Sequence, residues 1–191
     1  KNMLLEMTRS AQAGIRKERQ YDLTTNHLAN ANTTGFKGDI LTFDDMMRAK
    51  ITTDHSQGDL ITTGNKLDLA LGDKGFFKVL TPSGAKYTRN GNFTVDRGGR
   101  MVTQTGDPVS GKRGPILVNG TNVSVNESGQ VFVDGKLTET LNIVDFQDKN
   151  LLEKEGNSFF IYKGNITEEA PSATVNGKCQ CLHPYGDDTN D

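Results

Sequence analysis

Four stretches carry residue types capable of chemistry, and each falls short of what its chemistry requires. Gly106-Asp107-Pro108-Val109-Ser110-Gly111-Lys112 has the spacing of a phosphate-binding loop. A working loop continues with Ser or Thr to hold magnesium and opens a helix whose N-terminus faces the phosphates. Here Arg113 follows, then Gly114-Pro115, so the stretch reads as a polar hairpin loop. Cys179, Cys181 and His183 could ligate a soft metal, but a closed site needs a fourth ligand. Two cysteines so close together cannot staple a distant core. His27 lies among amides, His55 among polar loop residues, and no Ser or Cys has a nucleophile's surroundings. Asp44-Asp45 reads as solvated charge rather than a metal pair. No catalytic residue, metal ligand or cofactor is assigned.

Composition narrows the remaining classes. The chain has 191 residues with Lys plus Arg at 22 and Asp plus Glu at 24, a formal charge of -2. That balance argues against a nucleic-acid binder. No apolar run is long enough to span a membrane, so direct membrane insertion is not expected. No basic stretch followed by an apolar core marks a cleaved secretory signal. A sugar-binding module would present Trp or clustered Tyr for stacking, whereas this chain has no Trp and 4 scattered Tyr. Glycine, at 21 residues against 5 Pro, points to many tight turns. A structural assembly subunit is the class that remains.

The pattern of elements agrees. Residues 3 to about 30 contain no Pro, one Gly, and abundant Leu, Met, Ala, Glu, Gln and Arg, the composition of a helix. Met7, Gly14, Tyr21 and Leu28 recur every seven positions, with Leu4 and Ala11 three residues ahead of the first two, forming a coiled-coil-like stripe. The small residues Ala11 and Gly14 suit close helix approach. No bulky apolar run nearby could receive this stripe, so it is expected to face another molecule. The helix should stop in Ala29-Asn30-Ala31-Asn32-Thr33-Thr34-Gly35, whose types favour turns and left-handed backbone. Residues 40–57 are ambiguous between a short helical turn and an extended arm.

From residue 58 the period becomes two. Short apolar runs at Leu67–Leu71, Phe76–Leu80, Phe93–Val95, Met101–Val102, Ile116–Val118, Val123–Val125, Val131–Val133, Leu141–Phe146 and Phe159–Tyr162 alternate with Gly-containing turns. This predicts a mainly β fold, a hairpin-rich β domain behind an N-terminal α-helix. The expected divisions are an assembly helix and linker at 1–34, a connecting arm at 35–75, a β-rich body at 76–175 and a polar tail at 176–191. Gly75-Phe76-Phe77 and Ser158-Phe159-Phe160 are alike, but no strict repeat emerges.

Three blocks carry a family resemblance. Asn26-His27-Leu28-Ala29-Asn30-Ala31-Asn32-Thr33-Thr34-Gly35-Phe36-Lys37 resembles the N-terminal signature of bacterial flagellar rod and hook proteins. Gly58-Asp59-Leu60, Thr63-Gly64-Asn65, Leu67-Asp68-Leu69-Ala70-Leu71 and Gly75-Phe76-Phe77 form the second block, and Tyr87-Thr88-Arg89-Asn90-Gly91-Asn92-Phe93 the third. Together the likeness spans about residues 3–175. Compact length and Gly114-Pro115-Ile116 look most like the proximal-rod branch, with a distal rod or hook subunit as the alternative.

The resemblance implies a structural, non-enzymatic subunit of the flagellar basal body. It would be exported through the flagellar export apparatus without a cleaved signal. In the periplasm it would self-associate, and join other rod and hook proteins, in a hollow drive shaft. Leu4, Met7, Ala11, Gly14, Tyr21 and Leu28 would form the assembly interface. Asn30, Asn32, Thr33, Thr34, Gly35 and Phe36 would link helix to body. Such proteins end in a second apolar helix, whereas the residues after Val175, with Pro184 and two Gly, have no helical stripe.

Overall fold

The computed structural model of the chain describes residues 2–44, 48–56, 58–72, 74–156, 158–164, 175–176 and 179–181. Helix α1 spans Asn2–Ala29. Strands β1 (Asp39–Phe43) and β2 (Ala49–Thr53) pair antiparallel as a hairpin, with Ile40 opposite Thr52 and Phe43 opposite Ala49. Within the ambiguous stretch at 40–57, residues 40–43 and 49–53 are therefore extended, and Asp45, Met46, Met47 and Gln57 lie outside the described residues. Its β-branched Ile40, Thr42, Ile51, Thr52 and Thr53 suit a pleated ribbon better than a helical turn.

The mainly β body follows. Its strands are β3 (Asp59–Ile61), β4 (Ala70–Leu71), β5 (Phe76–Thr81), β6 (Gly84–Thr88), β7 (Thr94–Val95), β8 (Met101–Val102), β9 (Val123–Val125), β10 (Gln130–Val133), β11 (Lys136–Thr140), β12 (Ile143–Val144), β13 (Leu152–Glu155) and β14 (Phe159–Tyr162). A five-stranded antiparallel sheet in the order β12-β5-β6-β14-β13 organises it. Period-two alternation sends neighbours in β5 to opposite faces. Phe77 and Val79 enter a core with Leu69, Leu71, Phe93, Met101, Val109, Ile116, Val131 and Leu141. Phe76 joins Tyr87, Val144, Phe146, Leu152 and Phe160 in a second, largely aromatic core. Leu69 and Leu71, within the stretch read as a connecting arm, are thus part of the first core.

Two hairpins of the body use the same five-residue turn. In both, an Asp or Asn Oδ1 accepts the N–H groups two and four residues on: Asp96 from Gly98 and Arg100, Asn126 from Ser128 and Gln130. In both, the fourth residue is a glycine in left-handed backbone, Gly99 at φ 75° and Gly129 at φ 72°. The flanking pairs also correspond, Val95 with Met101 and Val125 with Val131. Asp44 and Arg48 at the β1–β2 hairpin repeat the carboxylate-to-N–H bond and add a guanidinium contact of 2.7 Å. Arg100 makes the equivalent contact to Asp96 at 2.8 Å.

The phosphate-loop-like stretch is no exposed hairpin loop throughout. Pro108, Val109, Ser110 and Gly111 make β-bridges to Val102, Val79, Pro115 and Leu141, and Val109 is buried in the first core. The tight turn is confined to residues 111–114, where Gly111 N–H donates to Gly114 O. Ile116–Val118, read as a strand, contributes only isolated bridges, because Gly114-Pro115 and Asn119-Gly120 leave too little chain for a ladder. Beyond Tyr162, β15 (Val175–Asn176) pairs with β4 and β16 (Cys179–Cys181) with β3, all antiparallel. His183 and the rest of the tail lie outside the described residues.

Candidate functional site: the joint between helix and body

The end of α1 is stopped by its own side chains. Asn30 Nδ2 donates to Asn26 O at 2.9 Å, Thr33 Oγ1 donates to Asn30 Oδ1, and Thr33 N–H donates to Asn30 O. Asn30 is buried although polar, because these bonds satisfy it. The chain then reverses at Gly35, φ 72°. A Cβ there would sit 2.4 Å from Asn90 N, so glycine is required by backbone conformation and by the close approach of another backbone.

What Gly35 approaches is the third sequence block. Asn92 Nδ2 donates to Thr34 Oγ1 at 3.1 Å, Asn90 Oδ1 accepts from Asn92 N–H, and Thr88 Oγ1 accepts from Asn90 N–H. The second block closes the arrangement: Leu69 N–H donates to Gly91 O, and Asp68 bridges Asn92. A Cβ on Gly91 would collide with Leu69 O, which explains that glycine too. Three blocks far apart in the chain therefore converge on one joint.

Charges complete it. His27 Nε2 accepts the Asp39 N–H at 2.9 Å, so the ring proton sits on Nδ1, and the ring stands edge-on to buried Phe36. Lys154 Nζ donates to Lys37 O and Asp39 Oδ1 at 2.5 and 2.6 Å and lies 5.1 Å over the Phe36 ring. Lys37 is itself buried and donates to Ser56 O. Burial, then the nearby Arg89 guanidinium, pulls its ammonium down to about 8, partly opposed by Asp54. His55 packs on Phe76 and Phe160 and is pushed down to about 4 by burial and then by Lys149, Lys37, Arg89 and Lys154.

Of the residues assigned to the link, Asn30, Thr33, Thr34, Gly35 and Phe36 meet in this joint, while Asn32 is exposed. Those assigned to the helix stripe lie elsewhere. Met7, Ala11, Gly14, Tyr21 and Leu28 are exposed along α1, Tyr21 and Leu28 by 71% and 70%; the Leu4 side chain is not described. At 100° per residue they fall on the side opposite Arg16, Leu23, His27 and Asn30, which are turned toward the hairpin and body. Arg16 stacks 4.8 Å over the Phe43 ring of β1. Sequence reasoning missed His27, Lys37, Asp39, Asn92 and Lys154 as members of the joint. The signal available was the clustering of His27, Lys37 and Asn92 inside the three resembling blocks.

Known proteins resemble the chain that builds this arrangement. The chain is 31% identical over 180 residues to the flagellar basal-body rod protein FlgF of Caulobacter vibrioides, covering 84% of this chain and 72% of that protein. It belongs to the flagellar rod and hook protein family. Residues 70–133 match the family described as the flagellar hook protein FlgE/F/G D1 domain. The flagellar basal-body rod protein FlgG of Bacillus subtilis is 29% identical over 206 residues, covering 87% of this chain and 77% of that protein. The flagellar hook protein FlgE of Escherichia coli is 34% identical over 122 residues, covering 54% of this chain and 30% of that protein. The match to the FlgE/F/G D1 family falls on the first core and the twin hairpins, the segment that holds the third block against the joint.

Proposed function

We propose that this chain is a structural subunit of the flagellar basal-body rod, of the proximal branch, exported without a cleaved signal through the flagellar export apparatus and polymerising in the periplasm. Its work is mechanical rather than catalytic: α1 packs against terminal helices of neighbouring subunits, and the β body forms the outer wall. The observation that carries the reading is the orientation of α1. Its body-facing side is engaged, while Met7, Tyr21 and Leu28 remain in water on the other side. Each such side chain contributes about 1.5–3 kcal/mol when fully buried. A repeated contact between different patches extends into a helical tube rather than closing. Among the described residues no helix is long and apolar enough to cross a membrane.

Gly14→Leu tests this. A Cβ at Gly14 meets nothing within 4 Å, so the monomer has room for leucine. Leucine also favours an exposed helix over glycine by somewhat under 1 kcal/mol. The variant should keep or raise its thermal midpoint yet fail to assemble and to restore motility in a strain lacking the native subunit. Normal motility from this variant would exclude Gly14 from a close helix contact. The hook likeness supports a second reading, a distal rod or hook subunit. Complementation of strains lacking the proximal rod, distal rod or hook protein separates the branches.

A further inference from the structure

A cleft of about 220 Å³ lies between β2 and the 3₁₀ turn Lys149–Leu151, beside the joint, with no residue of the exposed helix stripe in its lining. Its polar lining is Lys50, Thr52, Thr53, His55, Lys149 and Asn150, with no carboxylate among the described residues that line it. Acids adjacent in sequence to the lining, and Asp39 across the β1–β2 ladder, have partners of their own. Asp39 holds Lys154 and accepts from Thr53 Oγ1. Asp54 accepts from Ser56 N–H, and Asp148 caps the 3₁₀ turn through Asn150. Asp145 pairs with Lys149 at 3.6 Å, an ion pair longer than a hydrogen bond that leaves the ammonium's N–H donors for a further acceptor. The His55 Nδ1 atom is buried without a hydrogen-bond partner.

We propose that this cleft binds an anionic group of the carboxylate or phosphate class, held by Lys149 and Lys50 with the Thr52 hydroxyl as a further donor. Physical chemistry favours this in three ways. Cations gathered in a partly desolvated cleft repel one another, and an anion relieves that repulsion. The field is felt at His55, whose protonation is opposed by Lys149, Lys37, Arg89 and Lys154 together. Two ammonium groups and a hydroxyl on converging elements supply charge-assisted donors to a compact oxyanion. The anion has two chemical sources, a free oxyanion in the surrounding medium or an acidic side chain of a neighbouring subunit in the shaft.

Nuclear magnetic resonance of the histidine-labelled full chain tests the site without relying on the rod reading. Inorganic phosphate, added at constant ionic strength in place of chloride, should shift the His55 ring signals saturably and leave those of His27 unmoved. It should also raise the His55 titration midpoint by about one unit, because an anion favours the imidazolium. Lys149→Gln and Lys50→Gln should each weaken the response several-fold while circular dichroism shows a folded chain. No saturable shift in the unaltered chain, or full response in both folded variants, overturns the proposal. Assembly assays then distinguish the source. Phosphate inhibition of polymerisation, with poor assembly of Lys149→Gln, assigns the site to a neighbour's carboxylate. Phosphate binding with normal assembly of that variant assigns it to a free anion.

Discussion

Gly35 and Gly135 offer a controlled pair for measuring how much the joint depends on close backbone packing. Both adopt left-handed backbone, φ 72° and 79°. At Gly135 an added Cβ meets nothing within 4 Å, whereas at Gly35 it falls 2.4 Å from Asn90 N and 2.6 Å from Arg89 C. Gly135→Ala should therefore cost only the left-handed penalty, about 1–2 kcal/mol. Gly35→Ala pays the same penalty and must also separate residues 34–37 from residues 89–92. Separation sacrifices the Thr34–Asn92 hydrogen bond, about 1 kcal/mol, and part of the Phe36 burial, about 1.5–3 kcal/mol in full. The expected total is roughly 3–5 kcal/mol. Urea unfolding at neutral pH gives the two losses, and amide exchange shows where they fall. Exchange should accelerate at Phe36, Asp39 and Asn92 for Gly35→Ala and stay local to the β10–β11 turn for Gly135→Ala. Equal losses in the two variants would refute the claim that backbone contact at Gly35 ties the body to the helix.

Two further outcomes are expected. The His55 midpoint of about 4 lies below the ordinary value of 6.5, so the unfolded chain binds more protons between those values. Stability should then fall as pH drops from 6.5 toward 4, by on the order of 1–2 kcal/mol after allowance for the ring's partial exposure. His55→Gln should flatten that limb of the urea-midpoint profile, and an unchanged slope would remove His55 as its cause. Phe43→Ala removes the ring beneath Arg16, a contact of about 0.5–1 kcal/mol at an exposed site, and should leave the body's unfolding midpoint nearly unchanged. Distances between spin labels on α1 and the body should nevertheless spread; an unaltered distribution would show that the joint alone orients the helix.

Legibility of the fold followed side-chain chemistry. Strands with buried alternating residues, such as Phe76–Thr81 and Gln130–Val133, announce themselves by period and flanking turns. Gly84–Thr88, Lys136–Thr140 and Leu152–Glu155 did not, because GAKYT, KLTET and LEKE carry too few apolar residues to show a period. They are strands because a neighbour supplies the ladder: β6 lies between β5 and β14, β11 pairs with β10, and β13 with β14. The twin turns are marked by their glycines, but their common geometry is hidden for another reason. Asp96-Arg97-Gly98-Gly99-Arg100 and Asn126-Glu127-Ser128-Gly129-Gln130 share only the Asx position and the left-handed glycine, which are what the geometry needs. In the joint, Gly35 and the Asn/Thr stop were readable as local chemistry. Lys154 was not, since its bond to Lys37 O spans 117 positions and no local pattern encodes such a contact.

Two separated anchors give α1 a direction that neither alone could impose. His27 and Asn30 hold its C-terminal end, and Arg16 meets Phe43 about 16 Å back along the axis. The residues N-terminal to Arg16 extend roughly 20 Å further. A tilt allowed at a single hinge would displace that free end by several ångströms, enough, under the proposed helix packing, to take side chains at Met7 and Ala11 out of register with a neighbour. The β1–β2 hairpin therefore acts as a brace. Its base is fixed by Lys154 at Asp39, and its far end carries the Asp44–Arg48 contact beside Phe43. This explains how weak contacts can serve a mechanical subunit. On the proposed packing, Arg16 over Phe43 needs only to narrow the range of helix angles before assembly, because the entropy of ordering removed in the monomer would no longer have to be overcome when neighbours dock.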